Sequence, residues 1–413
     1  MPSASANAQR EYDLVVWGAS GFTGRLVVEY LVKKYPLGGD LRWAVAGRDR
    51  LKLAAVLSGI CGSGPQPAVI IADSHDEDSL GQLTRSTRVI LTTVGPYASY
   101  GSELVAACVT HGTHYCDLAG EVQWMRAMLD RHQSAALASG ARIVPSCGFD
   151  SIPSDIGVFC LQNHALDQYG AACDEITLLV KAMKGGASGG TVASMLTAMD
   201  QARQDRDIAK ILFDPYALNP AGERDGPDGP DQTSIEFNAD AGVWTGPFIM
   251  AAVNTRIVRR SNALRGYPYG KEFRYREATI TGSGASGWCK SALLTAGLGT
   301  FMLASSVAFT RKTIVPLLAP KPGEGPTAEQ RENGFFNLLL LGKMANGTLL
   351  RLRVKGDRDP GYGSTSKMLA ESAVCLAKDE LNVAGGFWTP ASAMGAPLLD
   401  RLQKNAGLSF ELE

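Results

Sequence analysis

At 413 residues the chain is too long for one ordinary core and fits two domains. Hydrophobic residues make up 45% and charged residues 20%, a balance that excludes a disordered or collagen-like chain. The 40 Lys and Arg against 41 Asp and Glu leave a net charge of -1, so no global field gathers a polyanion, which argues against nucleic acid as a partner.

The first eleven residues, MPSASANAQRE, hold no apolar stretch and predict no secretory signal, so the expected location is the cytoplasm. From Tyr12 the chain alternates strand and helix. YDLVVW (12–17) predicts a strand, GASGFTG (18–24) a tight turn, and 25–35 a helix. The pattern repeats as strand 41–47 with helix 49–58, strand 68–73 with helix 76–84, and strand 88–95 with helix 102–111. Strand 113–117, helix 122–138 and strand 141–146 complete it. Apolar strands each followed by a helix predict an α/β fold: residues 1–150 form a Rossmann-type, doubly wound parallel sheet.

Glycine is in excess, with 46 residues, and its positions carry chemistry. In Gly18-Ala19-Ser20-Gly21-Phe22-Thr23-Gly24 the spacing is G-x-x-G-x-x-G between a strand and a helix. Gly18 suits the bend, Gly21 the approach of a pyrophosphate and Gly24 close packing of helix on strand, so these seven residues are the expected dinucleotide cradle. The second strand ends Ala46-Gly47-Arg48, with a guanidinium where an NAD site carries a carboxylate. Arg48 therefore predicts NADPH as the cofactor, the alternative being that it merely starts the next helix from solvent. Asp73, ending the third strand, is placed to reach the adenine, although a carboxylate capping the next helix reads the same way. Thr93, Gly95 and Pro96 end the fourth strand and are expected beside the nicotinamide ribose. Tyr30 and Lys34 show a Y-x-x-x-K spacing, but they lie on the first helix away from the ligand edge and are expected on the surface.

Cys147-Gly-Phe-Asp-Ser-Ile-Pro-Ser-Asp155 follows the sixth strand, so Asp150, Ser151 and Asp155 emerge at the carboxyl edge. They suit substrate positioning or proton relay, and equally a helix cap or a turn. Tyr115, Asp117 and Glu121 share that ambiguity. Eight cysteines without a CxxC pair and five dispersed histidines predict neither a disulfide framework nor a metal site.

Beyond residue 150 longer β-like runs appear at 175–183, 248–261, 273–282 and 347–356, predicting a second, α+β domain over 151–360 built on a mostly antiparallel sheet. A helix over 365–379 is expected to bring segment 360–413 back to the first domain. Seven basic residues crowd Arg256 to Arg276 (Arg256, Arg259, Arg260, Arg265, Lys271, Arg274 and Arg276) against Glu272 alone. They form either a patch for lipid headgroups or carrier phosphates, or a solvated face. Residues 291–310, SALLTAGLGTFMLASSVAFT, carry no charge, yet six of the twenty are Ser or Thr. Insertion across a bilayer would be marginal, so a helix at a membrane interface or along an acyl-chain groove is expected, with a core helix as the alternative.

Taken together, GASGFTG (18–24), AGR (46–48), TTVGPYASYG (92–101), YCDLAGE (115–121), CGFDSIPSD (147–155), SGGTVASM (188–195), NTRIVRRSNAL (254–264) and DPGYGSTSKMLAESA (359–373) resemble the saccharopine dehydrogenase-like oxidoreductases, in particular their trans-acting enoyl reductases. The resemblance implies an NADPH-binding first domain and reduction of a carbon–carbon double bond in a polyketide-derived lipid. The expected substrate is a lipid or acyl thioester, on coenzyme A or a carrier protein. Peripheral membrane contact and a homodimer are the other expected associations. Tyr97, Tyr115, Asp150 and Ser151 are the candidate proton donors. Two alternatives stand beside this reading: an imine or ketone reductase for a small polar substrate, and a membrane-attached NADPH-binding protein of low activity.

Overall fold

Leu14, Val15, Val16 and Trp17 are all buried, as a strand covered on both faces requires. The computed structural model describes residues 10–185, 189–306 and 325–413. Its strands, in chain order, are β1 (Tyr12–Trp17), β2 (Trp43–Gly47), β3 (Ala68–Ile71), β4 (Thr87–Thr92), β5 (His114–Cys116), β6 (Arg142–Val144) and β7 (Glu175–Lys184). They continue as β8 (Glu236–Asn238), β9 (Val243–Gly246), β10 (Arg274–Gly282), β11 (Phe335–Lys343), β12 (Leu349–Gly356), β13 (Gly386–Phe387) and β14 (Leu408–Leu412). The chain divides into two compact units, 1–149 with 362–406, and 150–361 with 407–413.

The first unit is a parallel sheet in the order β13-β6-β5-β4-β1-β2-β3. Strand order reverses at β1, between β4 and β2, and there the carboxyl ends open a crevice suited to a dinucleotide. Helix Thr365–Lys378 returns to this sheet and buries twelve of its fourteen residues, packing on β1, β4 and β5. Tyr30, expected on the surface, instead donates its hydroxyl to Glu371 Oε1 at 2.6 Å on that returning helix. No local pattern marks this partner, which lies 341 residues further along.

The second unit holds a mixed sheet ordered β14-β12-β11-β7-β10-β9-β8, antiparallel except for the β7–β10 pair. Helix Ile152–Tyr169 packs on β11 and β12, and helix Gly284–Ser306 on β9 and β10. Residues 248–261, expected as a strand, are instead mostly helix, Ala251–Leu264. Twelve of its fourteen residues are buried, among them Asn254, Thr255, Arg256, Arg259, Arg260, Ser261 and Asn262. The final strand β14 pairs with β12, which places residues 407–413 in the second unit although the sequence attached them to the first.

Three of the seven basic residues lie in the interior, not on a surface patch. Arg256, Arg259 and Arg260 are each no more than 4% exposed. Arg256 pairs with Asp231, Arg259 with Asp228 at 2.6 Å, and Arg260 donates to the Leu218 carbonyl. Arg265 lies over the Phe159 ring and Lys271 over Tyr267, while exposed Arg276 pairs with Glu175. Arg256, Arg259 and Arg260 are thus committed to partners from distant parts of the chain, while Lys271, Arg274 and Arg276 are exposed.

Helix 284–306 is bound along one side only. Ser291 Oγ donates to the Thr245 carbonyl at 2.7 Å, while Leu293 is 76% and Leu303 71% exposed, with Trp288 and Met302 also exposed. That rules out the core-helix reading for the described part. Residues 307–310 of the uncharged stretch lie outside the described residues. Among the described residues no helix is long and apolar enough to cross a membrane.

Candidate functional site

The turn after β1 is built by its glycines. Gly18 has φ +86°, a left-handed backbone that disfavours any side chain. A Cβ on Gly24 would stand 2.2 Å from the Gly18 carbonyl oxygen, so helix Phe22–Lys34 can lie against the turn only with glycine there. At Gly21 an added Cβ meets nothing nearer than the Gly18 oxygen at 3.3 Å, which leaves the turn's outer face open. No side chain caps the helix at Gly21, and Ser20, Gly21, Phe22 and Thr23 all retain exposure while Ala19 is buried. An uncapped helix N-terminus with an accessible backbone is a site for a phosphate.

Around it the neighbouring strand ends supply the rest. Arg48 is exposed just past β2 and, among the described residues, has no hydrogen bond or ion pair; its neighbour Asp49 caps the next helix through Lys52 N. The guanidinium is therefore available to a 2′-phosphate. Asp73 accepts from His75 N at 3.0 Å, and the helix cap is Asp76, so Asp73 shapes a turn at the end of β3 and does not cap the helix. Thr93 N donates to the Trp17 carbonyl at 3.1 Å, joining the ends of β1 and β4, and Thr93, Gly95 and Pro96 remain accessible. Glu121 then holds the segment that follows: its two carboxylate oxygens accept from Tyr97 N at 2.8 Å and Ala98 N at 2.9 Å. These features fit an NADPH molecule: a cradle that a Cβ would fill, an open helix end, and a free guanidinium without a competing carboxylate.

The four candidate donors separate. Tyr97 is 5% exposed and its hydroxyl accepts from Leu118 N at 3.1 Å. Tyr115 is fully buried and donates to Asp117 Oδ2 at 2.8 Å. Burial and the nearby Asp117 charge push both phenols well above their usual range. Both tyrosines lie in the core of the first unit, with the Tyr97 hydroxyl between Leu118 N and the Thr92 carbonyl and the Tyr115 hydroxyl on Asp117. Asp117 itself accepts from Ala119 N, Ser146 N and Tyr115, fastening the ends of β5 and β6. Burial raises its carboxyl to about 6 despite those bonds.

Ser151 is likewise fully buried, with its hydroxyl shared between the Asp150 carbonyl and Asn254 Oδ1 at 3.3 Å. Asp155 accepts from Ser261. Asp150 differs from all of these. The residue keeps partial exposure, and among the described residues its carboxyl has no hydrogen-bond or ionic partner. Crowding by protein alone pushes it up to about 6. Two contributors escaped the sequence reading. Tyr362 packs edge-on against Phe22 of the turn, 4.8 Å between ring centres, and Thr365 Oγ1 accepts from Phe149 N at 3.0 Å. Both sit in the DPGYGSTSK stretch, whose glycines and hydroxyls were the available signal.

Comparison with known proteins decides the family. Residues 14–144 match the saccharopine dehydrogenase NADP binding domain. A Mycobacterium tuberculosis protein provisionally assigned as a trans-acting enoyl reductase is 40% identical over 413 residues, 97% of each chain. The chain belongs to the saccharopine dehydrogenase-like family, in its trans-acting enoyl reductase branch. A Mycobacterium ulcerans trans-acting enoyl reductase is 36% identical over 408 residues, covering 96% of this chain and 97% of that one. Among solved structures, apo saccharopine dehydrogenase (L-Glu forming) from Saccharomyces cerevisiae shares the fold at TM-score 0.53 and 11% identity, over 97% of this chain and 99% of that one. Residues 14–144, which include the glycine turn, are accordingly the NADPH-binding domain of an oxidoreductase.

Proposed function

We propose that this chain reduces the α,β double bond of an unsaturated acyl thioester, a lipid or polyketide-derived intermediate held on coenzyme A or a carrier protein, in the cytoplasm. The relatives' names supply the reaction class, and the observation that carries it to this chain is Asp150. A single carboxyl group, without a partner among the described residues and raised to about 6, follows the strand that delivers the chain to the carboxyl edge of the NADPH-binding sheet.

When bound, NADPH supplies a hydride for the β-carbon of the enoyl group. Gly18 to Gly24 would hold its pyrophosphate, Arg48 its 2′-phosphate, and Thr93, Gly95 and Pro96 its nicotinamide ribose. Asp150 in its protonated form then gives its proton to the α-carbon and is left as carboxylate, to be reprotonated from water. The products balance as a saturated thioester and oxidised cofactor. Because the donor must carry its proton, turnover declines as pH rises through about 6. Support for a greasy substrate or a lipid surface comes from the uncharged, exposed face of helix 284–306. The internal pairing of the Arg256 to Arg260 cations weighs against a small polyanionic substrate.

The test is NADPH consumption with enoyl thioesters of graded chain length, compared with keto and imino acids. Asp150→Asn should lower kcat by about 100-fold to 10,000-fold, the usual contribution of a positioned acid, and remove the decline above pH 6. Turnover on keto or imino acids with none on any enoyl thioester would sink the reading.

A further inference from the structure

Behind Ser151 lies a buried chain of polar groups drawn from three elements of the second unit. Glu277 on β10 is 1% exposed and, among the described residues, no cation pairs with it. A buried carboxylate without a cation must be held by donors. It has them: Tyr275 Oη donates to Oε1 at 2.6 Å, Asn254 Nδ2 to Oε2 at 2.9 Å, and the Ser154 side chain adds a third bond. The far end of the same Asn254 amide, Oδ1, accepts from Ser151 Oγ.

An amide has one donating and one accepting end, so an ionised Glu277 dictates which way Asn254 faces. Only with Nδ2 toward the carboxylate does Oδ1 face Ser151, whose single hydroxyl proton is shared with the Asp150 carbonyl. A protonated Glu277 is itself a donor; it replaces a charge-assisted bond with a neutral one and no longer fixes the amide. We propose that Glu277 is a positioning residue that, through the Asn254 amide, sets the hydrogen bonding of Ser151 and so holds the Asp150 turn in place. Its use in turnover rests on the reading of Asp150 as the proton donor.

Burial raises the Glu277 carboxyl to about 7, against the lowering effect of its three hydrogen bonds. Of the charged groups around it, Asp231 acts on Glu277 and Asp155 acts on Tyr275, both in the raising sense. The nearby guanidiniums are committed elsewhere, Arg256 to Asp231 and Arg259 to Asp228 and the Tyr275 carbonyl. The hold on Ser151 is therefore present when Glu277 is ionised and lost as pH falls through about 7.

The test is peptide-resolved hydrogen exchange on the full-length protein across this range, corrected for the intrinsic pH dependence of exchange. In the wild type the segment containing Asp150 to Asp155 should exchange about fivefold faster below the transition than above it, the difference between a neutral and a charge-assisted bond. Glu277→Gln should abolish the step, and Asn254→Ala should abolish it while leaving Glu277 free to titrate. Turnover would then need protonated Asp150 and ionised Glu277 together, so kcat should fall toward acid as well as alkaline pH, and Glu277→Gln should remove the acid-side fall without changing KM for NADPH. A wild type with no exchange step overturns the inference without recourse to any variant, as does a step that survives Asn254→Ala. A step present in a protein that turns over no enoyl thioester would overturn the enoyl reading and leave the Glu277 network standing.

Discussion

Arg48 and Asp117 show how differently two charged side chains in one unit behave. Arg48 has no partner among the described residues, so replacing it perturbs little except the ligand. Arg48→Asp should weaken NADPH binding by about 10-fold to 100-fold, the worth of a charge-assisted bond to a phosphate, and shift preference toward NADH. Nucleotide titration of the two proteins checks this, and unchanged NADPH affinity would take Arg48 out of the site. Asp117 is the opposite case, since it satisfies Ala119 N, Ser146 N and the Tyr115 hydroxyl at once. Asp117→Ala should destabilise by about 1–3 kcal/mol for each donor left unpaired in the core, and Asp117→Asn by far less because its oxygen can still accept. The pH dependence has a definite sign. A carboxyl raised to about 6 binds its proton more tightly folded than unfolded, so its contribution is present at acid pH and lost as pH rises through about 6. Urea unfolding of Asp117→Asn should lack that component, and an unaltered pH profile would show that Asp117 does not titrate there.

At the scale of elements, helix 284–306 is the one whose surface contradicts its solvation. Leu293 and Leu303 are about three-quarters exposed, on a helix with no charged residue after Lys290. If this face meets lipid, Leu293→Asp with Leu303→Asp should cut binding to vesicles by about 10-fold or more for each leucine, given the transfer free energy of a leucine side chain. Stability should stay within about 0.5 kcal/mol, as for most exposed sites. Vesicle co-sedimentation checks it, and a wild type that leaves vesicles unbound ends the lipid-facing reading. The same helix shows what a sequence can and cannot reveal. Its uncharged length was legible; which side Ser291 and Gly246 fasten to β9 was not, because that depends on a strand 46 residues earlier. The glycine turn was legible for the converse reason, since its geometry is set by residues adjacent in the chain. Helix 251–264 was misread because its β-branched residues Val253, Thr255, Ile257 and Val258 favour a strand locally, while its packing against strand 274–282 and helix 152–169 comes from elsewhere in the chain. Tyr97 and Tyr115 were legible as strand-end residues, but their bonds to Leu118 and Asp117 were not.

For the whole molecule the consequence of the topology is that neither unit is a contiguous stretch of chain. The first unit needs residues 362–406 to complete its sheet with β13 and to cover β1, β4 and β5 with helix Thr365–Lys378. Met368, Leu369, Val374 and Leu376 of that helix are at most 2% exposed. At about 1.5–3 kcal/mol for each buried side chain, their removal costs on the order of 10 kcal/mol, as much as the whole stability of a typical domain, about 5–15 kcal/mol. The helix also supplies Glu371, which is bonded by Tyr30, Tyr35, Arg401 and Asn405, so its loss would strand buried hydroxyls as well. A chain ending at residue 361 keeps every group of the glycine turn, Arg48, Asp73 and Thr93, yet should lose NADPH binding because the sheet that aligns them no longer folds. Circular dichroism melting with NADPH fluorescence titration checks both halves of that statement. A truncated protein that still melts cooperatively and binds NADPH at wild-type affinity would show that the strand ends hold their alignment without the returning helix.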